Sequence, residues 1–129
     1  MCVRAIGVDS AVPGVRNHAL QWRDGAALTT VLAAAGYPGT YAKGKPIHIP
    51  SEVSAASDVI VYHAGTAITA GQLVTAGGRV IAVTALGNDL AAAAARSRWA
   101  AERVQFEGKQ YRRDIGWREL DRQRNNPVI

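Results

Sequence analysis

Apolar positions along the chain fall into two periods. Leu28 to Ala35, LTTVLAAA, is a short unbroken run with β-branched Thr29, Thr30 and Val31. Such a run predicts a buried strand, and Gly36-Tyr37-Pro38-Gly39 stops it. Asp58 to His63, DVIVYH, reads as a second strand, ended by Ala64-Gly65-Thr66. From Ile68 to Ala85, glycines at 71, 77 and 78 punctuate apolar pieces. They predict a β-ribbon with Leu73-Val74 and Val80 to Val83 as its arms. Beyond Leu86-Gly87 the period lengthens. Leu90, Ala94, Ala101 and Val104 recur at helical spacing, so a helix is expected to about Val104, N-capped by Asn88 or Asp89. Arg96, Arg98, Glu102 and Arg103 fall mostly on its wet side.

The rest is less regular. Residues 1–25 are weakly patterned, with turns at Pro13-Gly14 and Asp24-Gly25, and residues 40–57 read mostly as loop. Lys109 to Leu120, KQYRRDIGWREL, is polar, aromatic and basic with no clean period, and Asp121 to Ile129 reads as a frayed tail. Strands followed by one long helix predict an α+β domain: a small, mostly antiparallel β-sheet with one long packed helix.

A chain of 129 residues with 48% apolar content is one folded domain. Fifteen basic against ten acidic residues give +5, which permits partners such as nucleic acid or a phosphorylated small molecule. The basic residues are dispersed, and aromatics interleave with them only between Tyr111 and Trp117, so solvated surface charge is favoured over a nucleic-acid stripe. The single Cys2 excludes internal disulfides and multi-cysteine metal sites. Residues 1–4 lack a signal-peptide core, and no run approaches the roughly 20 apolar residues of a membrane span. A soluble cytoplasmic protein without a membrane partner is the expectation.

Candidate chemistry is sparse. GTYAKGKP, residues 39–46, nearly fits a phosphate-cradling loop, but Pro46 occupies the place of the metal-binding hydroxyl, and Pro50 precludes the helix that must follow. His18, His48 and His63 share no ligand spacing, so no metal site is expected. No Gly-x-Ser-x-Gly elbow and no carboxylate pair is present. Arg112-Arg113-Asp114 stands out. The aspartate could hold one guanidinium and leave the other for an anion, or the triplet could tie the C-terminal segment to the sheet. Arg79 follows Gly77-Gly78, where glycines either admit a ligand or make a hairpin turn. His63 at its strand end is either a site residue or satisfied by nearby backbone.

Three segments resemble a known family: VLAAAGYPGTYAKGKPI (31–47), VYHAGTAITAGQLVTAGGRVIAVTALG (61–87) and FEGKQYRRDIGWREL (106–120). Their signatures GYPG, HAGT, GGRV-x-x-VTALG and YRRDIG resemble the C-terminal domain of the phosphoribosylamine–glycine ligases, or glycinamide ribonucleotide synthetases, of the ATP-grasp superfamily. The resemblance covers roughly residues 20–122. It leaves 1–19 as a divergent segment or linker and 123–129 as a flexible tail.

GTYAKGKP then looks like the loop after the GYPG turn. The resemblance implies an ATP-dependent joining of glycine to phosphoribosylamine in de novo purine biosynthesis, through glycyl phosphate. In that family nucleotide and Mg²⁺ lie mainly on an ATP-grasp region, preceded by an N-terminal α/β domain, and this chain shows neither. No cofactor is therefore expected on this chain alone, and none of its residues is expected to be catalytic; ATP and Mg²⁺ belong to the complete enzyme. Its implied partners are the ATP-grasp and N-terminal portions, whose cleft it helps close, and a small phosphorylated substrate. Placed on the matching motifs, Arg79 and Arg113 would receive phosphate or glycine's carboxylate. Asp114 would orient a guanidinium or face an amine, with His63, Thr66 and Gly78 as further substrate-binding candidates. The alternative is a free-standing, non-catalytic module that binds a phosphorylated metabolite or a partner protein.

Overall fold

The computed structural model describes residues 19–126. The expected divergent segment lies outside the described residues, apart from Ala19. In chain order the elements are β1 (Ala26–Ala33), α1 (Ser51–Ser54), β2 (Val59–His63), β3 (Thr66–Thr69), β4 (Gln72–Thr75), β5 (Arg79–Gly87), α2 (Leu90–Arg103) and α3 (Trp117–Asn125). β1, β5 and β2 form an antiparallel sheet in that order, while β3 and β4 form a separate hairpin. This is the expected α+β architecture, with α2 packed on one face of the sheet.

Register decides which residues the helix covers. Leu28 lies opposite Ala85, Thr30 opposite Val83 and Leu32 opposite Ile81, and all six are buried. Val59 and Val61 continue the same face on β2. Burial along β1 alternates, so it is not the continuously buried strand that LTTVLAAA suggested. Among the described residues only one face of the sheet is roofed, and successive strand side chains point to opposite faces.

Helix α2 follows its expected course. Asp89 caps it, accepting a 2.7 Å hydrogen bond from the N–H of Ala92. Its buried face is built from small residues, Ala93, Ala94, Ser97, Ala100 and Ala101, which bring the helix axis close to the sheet. The hydroxyl of Ser97 is satisfied twice, by Thr30 Oγ1 at 2.7 Å and by the carbonyl of Val83 at 3.2 Å. Its far end is held from outside the helix. Lys109 Nζ donates to the carbonyls of Ala101 (2.7 Å), Glu102 (3.2 Å) and Val104 (2.7 Å). A cation against the negative helix terminus is favourable, and the carbonyls of Ala101 and Val104 gain a donor. That of Glu102, which also accepts from Gln105 Nε2 at 2.6 Å, gains a second. Lys109→Met keeps the apolar stem and removes the donor. It is expected to cost about 1–2 kcal/mol, read as a lower urea midpoint with an unchanged slope.

Three expectations are corrected. Leu73-Val74 does not pair with Val80 to Val83: β4 turns back on β3, and β5 joins the larger sheet. The hairpin's two turn residues are Ala70 and Gly71, both at positive φ (49° and 76°), as a tight two-residue turn between right-twisted strands requires. Second, residues 117–125, read as aperiodic segment and frayed tail, form α3, which runs past the expected domain end at 122. Leu120 packs it on Leu28, Ala93 and Ala94, and Glu119 accepts from both Arg122 and Gln123. Its outer faces are polar, so no wide apolar stripe announces it. Third, the 40–57 loop contains α1, one turn anchored by fully buried Val53.

Candidate functional site

Where β1 ends, the uncovered face of the sheet runs into a surface cavity of about 450 Å³. Val31, Tyr37, Arg79, Gln110, Tyr111 and Arg112 line it. These come from three segments distant in sequence, and Gln110 joins two of them. Its backbone exchanges two hydrogen bonds with Ala33 (2.8 and 3.0 Å). Its Nε2 donates to the carbonyls of Ala34 (2.9 Å) and Tyr37 (3.1 Å). The GYPG turn is thereby fastened to the segment that carries both Tyr111 and Arg112.

Arg112 is held side-on. Its Nε and Nη2 donate to the two carboxylate oxygens of Asp114 at 3.0 and 2.8 Å. Two of the five guanidinium N–H groups are used, and three remain for another acceptor. The hydrogen bonds from Arg112 hold the Asp114 carboxyl below its ordinary pKa of 3.8 and, reciprocally, raise that of Arg112. Arg79 opens β5 opposite Ala33, at a register shift between Leu32 and Ala33. Such an irregularity re-aims side chains at the end of a strand pair. Arg79 has no ion-pair partner among the described residues. Two guanidinium groups stand at one cavity, and a single carboxylate is committed to one of them.

The remaining candidates are placed differently. Arg113 turns towards α2, 4.0 Å from Glu102, and sits 5.5 Å over the Tyr111 ring. His63 Nδ1 lies 3.0 Å from Thr66 Oγ1, tying the end of β2 to the start of β3, away from the cavity. Gly78 is buried, and a Cβ there would run into the Tyr37 ring and touch that of Tyr41, so its bareness seats the tyrosine wall. Residues not singled out from sequence are Arg112 as the cavity's own arginine, Gln110, Tyr37 and Tyr111. No local signal separates Arg112 from Arg113, because Gln110, Tyr111 and Arg112 line the cavity in succession. A smaller cavity of about 190 Å³ lies beside the Lys45–Glu107 ion pair (3.5 Å), which occupies the charges of both residues.

The comparisons with known proteins bear on the family and the fold. The family model described as phosphoribosylglycinamide synthetase, C domain, matches residues 27–118, a span that contains every cavity residue. The chain is 50% identical over 105 residues to a phosphoribosylamine–glycine ligase of Agrobacterium fabrum, covering 81% of this chain and 24% of that one. It is 50% identical over 101 residues to the ligase of a Synechocystis strain, covering 78% and 24%. A crystal structure of the Thermotoga maritima ligase superposes with a TM-score of 0.62 at 42% identity, over 70% of this chain and 22% of that chain. The chain thus spans about a quarter of the length of the curated relatives it matches. No helix among the described residues is long and apolar enough to cross a membrane. On sequence and fold together, the chain belongs to the phosphoribosylglycinamide synthetase C-domain family.

Proposed function

We propose that the domain supplies the anion-receiving wall of a phosphoribosylamine–glycine ligase and catalyses nothing by itself. The observation that carries this reading is the convergence of Arg79 and Arg112 on one cavity walled by Tyr37 and Tyr111. Two guanidinium forks suit the phosphate of phosphoribosylamine better than glycine's carboxylate, because a dianion offers three oxygens to the available N–H groups. Asp114 acts through Arg112, holding its fork in one plane. Arg113 braces the segment on α2, and Gly78 seats Tyr37. His63 and Thr66 hold the base of the β3–β4 hairpin.

The family's nucleotide and Mg²⁺ fall to other parts of the ligase. Among the described residues no three His, Cys, Asp or Glu side chains converge as a metal would require. This reading gives the domain positioning and charge neutralisation of the acceptor substrate and leaves phosphoryl transfer to the rest of the ligase. The reaction belongs to purine biosynthesis in the cytoplasm.

The test is a chimera in which this chain replaces the matched quarter of the Agrobacterium ligase. It is expected to form product from phosphoribosylamine, glycine and ATP at a rate within about tenfold of the parent, since the two sequences are half identical across the exchanged region. A well-folded chimera that never turns over would overturn the reading. A free-standing module would instead show the isolated chain binding ribose 5-phosphate while the chimera stays silent.

A further inference from the structure

The sheet has a second face, and nothing among the described residues covers it. Thr29 lies opposite Thr84 and Val31 opposite Ala82, with Ile60 and Tyr62 completing the face on β2. None of these side chains is charged. Val31 is 41% exposed, Ile60 40% and Tyr62 52%, far above the buried partners on the helix side. The hydroxyls of Thr29 and Thr84 bond each other at 2.7 Å, so burying this face strands neither of them.

Along one margin the face ends in a bare edge. Among the described residues β2 pairs only with β5. The N–H of Leu86 donates to the carbonyl of Asp58, and that of Ala64 donates to the carbonyl of Val80, so β2's even-numbered residues carry the ladder. The backbone groups of Val61 and His63 therefore point away from the sheet. A flat apolar face beside an open strand edge is what soluble domains cover or charge.

From this we infer that the open face of β1–β5–β2 is the seat of the rest of the ligase, the reading of function above being assumed. Three observations choose that occupant. The curated relatives are about four times the length of the matched region, so about three quarters of each ligase must meet this domain somewhere. The face is continuous with the anion cavity through Val31, so a body seated on it also walls the place where the acceptor phosphate would lie. A second copy is disfavoured, because it would bring one chain of formal charge +5 against another.

Hydrogen exchange reads the contact without relying on activity. In the isolated chain the amides of Val61 and His63 should exchange quickly, as unpaired edge amides do. In the chimera with the Agrobacterium ligase they should exchange at least about tenfold more slowly. Ile60→Lys with Tyr62→Lys, a charge common on strand edges, should leave the isolated chain folded by circular dichroism and abolish that protection in the chimera. Equal exchange in chain and chimera, or protection that survives both lysines, would overturn the inference. So would a concentration-dependent dimer of the isolated chain protecting the same amides. An inactive chimera that still protects them keeps the seat and removes only the functional reading.

Discussion

Gly65→Ala is expected to destabilise the chain by about 3–5 kcal/mol, a large effect for a single added methyl group. The added Cβ would stand 2.5 Å from the carbonyl oxygen of Arg79, 2.8 Å from Gly77 Cα and 2.9 Å from Gly77 N. All three neighbours are backbone, and none can rotate away. The crossing is also closely bonded. Ala64 and Gly65 both donate to the carbonyl of Val80 at 3.0 Å, and Ala76 donates to that of Gly65 at 2.8 Å. Making room means separating β5 from the base of the hairpin, which adds lost hydrogen bonds of about 1 kcal/mol each to the overpacking cost. Gly71→Ala is the control. It introduces a positive-φ alanine at the hairpin tip, where a Cβ meets nothing within 4 Å, so the cost is backbone strain alone, about 1 kcal/mol. Urea titration of the two variants should give midpoints that differ several-fold in their shift from the parent. Equal shifts would mean that the glycine crossing yields more readily than the structure shows.

That crossing also shows what was legible in the sequence. A short apolar run with its stop suffices for β2, and helical spacing for the main helix with its cap narrowed to Asn88 or Asp89; together they suffice for the fold class, because burial against one partner leaves a regular imprint. Gly77-Gly78 left no comparable imprint of its purpose. A glycine pair reads as a turn, whereas in the fold Gly77 admits Gly65 and Gly78 admits Tyr37, both long-range encounters that only the folded chain creates. Helix α3 was hidden for a related reason: Leu120 is its main anchor, and the rest of its stability lies in charged pairs on exposed faces. For the site, arginine and aspartate in YRRD were visible as an anion-binding kit. Which arginine faces the cavity depended on Gln110 pairing with Ala33, and no local pattern announces a pairing across that distance.

The choice between the two adjacent arginines is therefore the sharpest functional test. In the chimeric ligase, Arg112→Ala is expected to lower kcat/KM for phosphoribosylamine by about 100- to 1000-fold, since losing one partner of a charge-assisted pair to a phosphate costs about 3–4 kcal/mol. Arg113→Ala removes an exposed contact to Glu102 at 4.0 Å and the stacking over Tyr111, and should change the same ratio by less than about fivefold. Asp114→Asn keeps the shape and weakens the two-bond hold on Arg112, so an intermediate loss of about tenfold is expected, chiefly in KM. The sign of any pH effect follows from the same pair. The Asp114 carboxyl lies below its usual 3.8, so the Arg112–Asp114 contact is fully present above that value and is lost as pH falls through the depressed pKa. Between pH 6 and 8 the parent should therefore show no pH dependence attributable to this carboxylate. Equal losses for Arg112→Ala and Arg113→Ala would remove the cavity from the reaction. A loss confined to Arg113→Ala would move the anion to the α2 side of the segment.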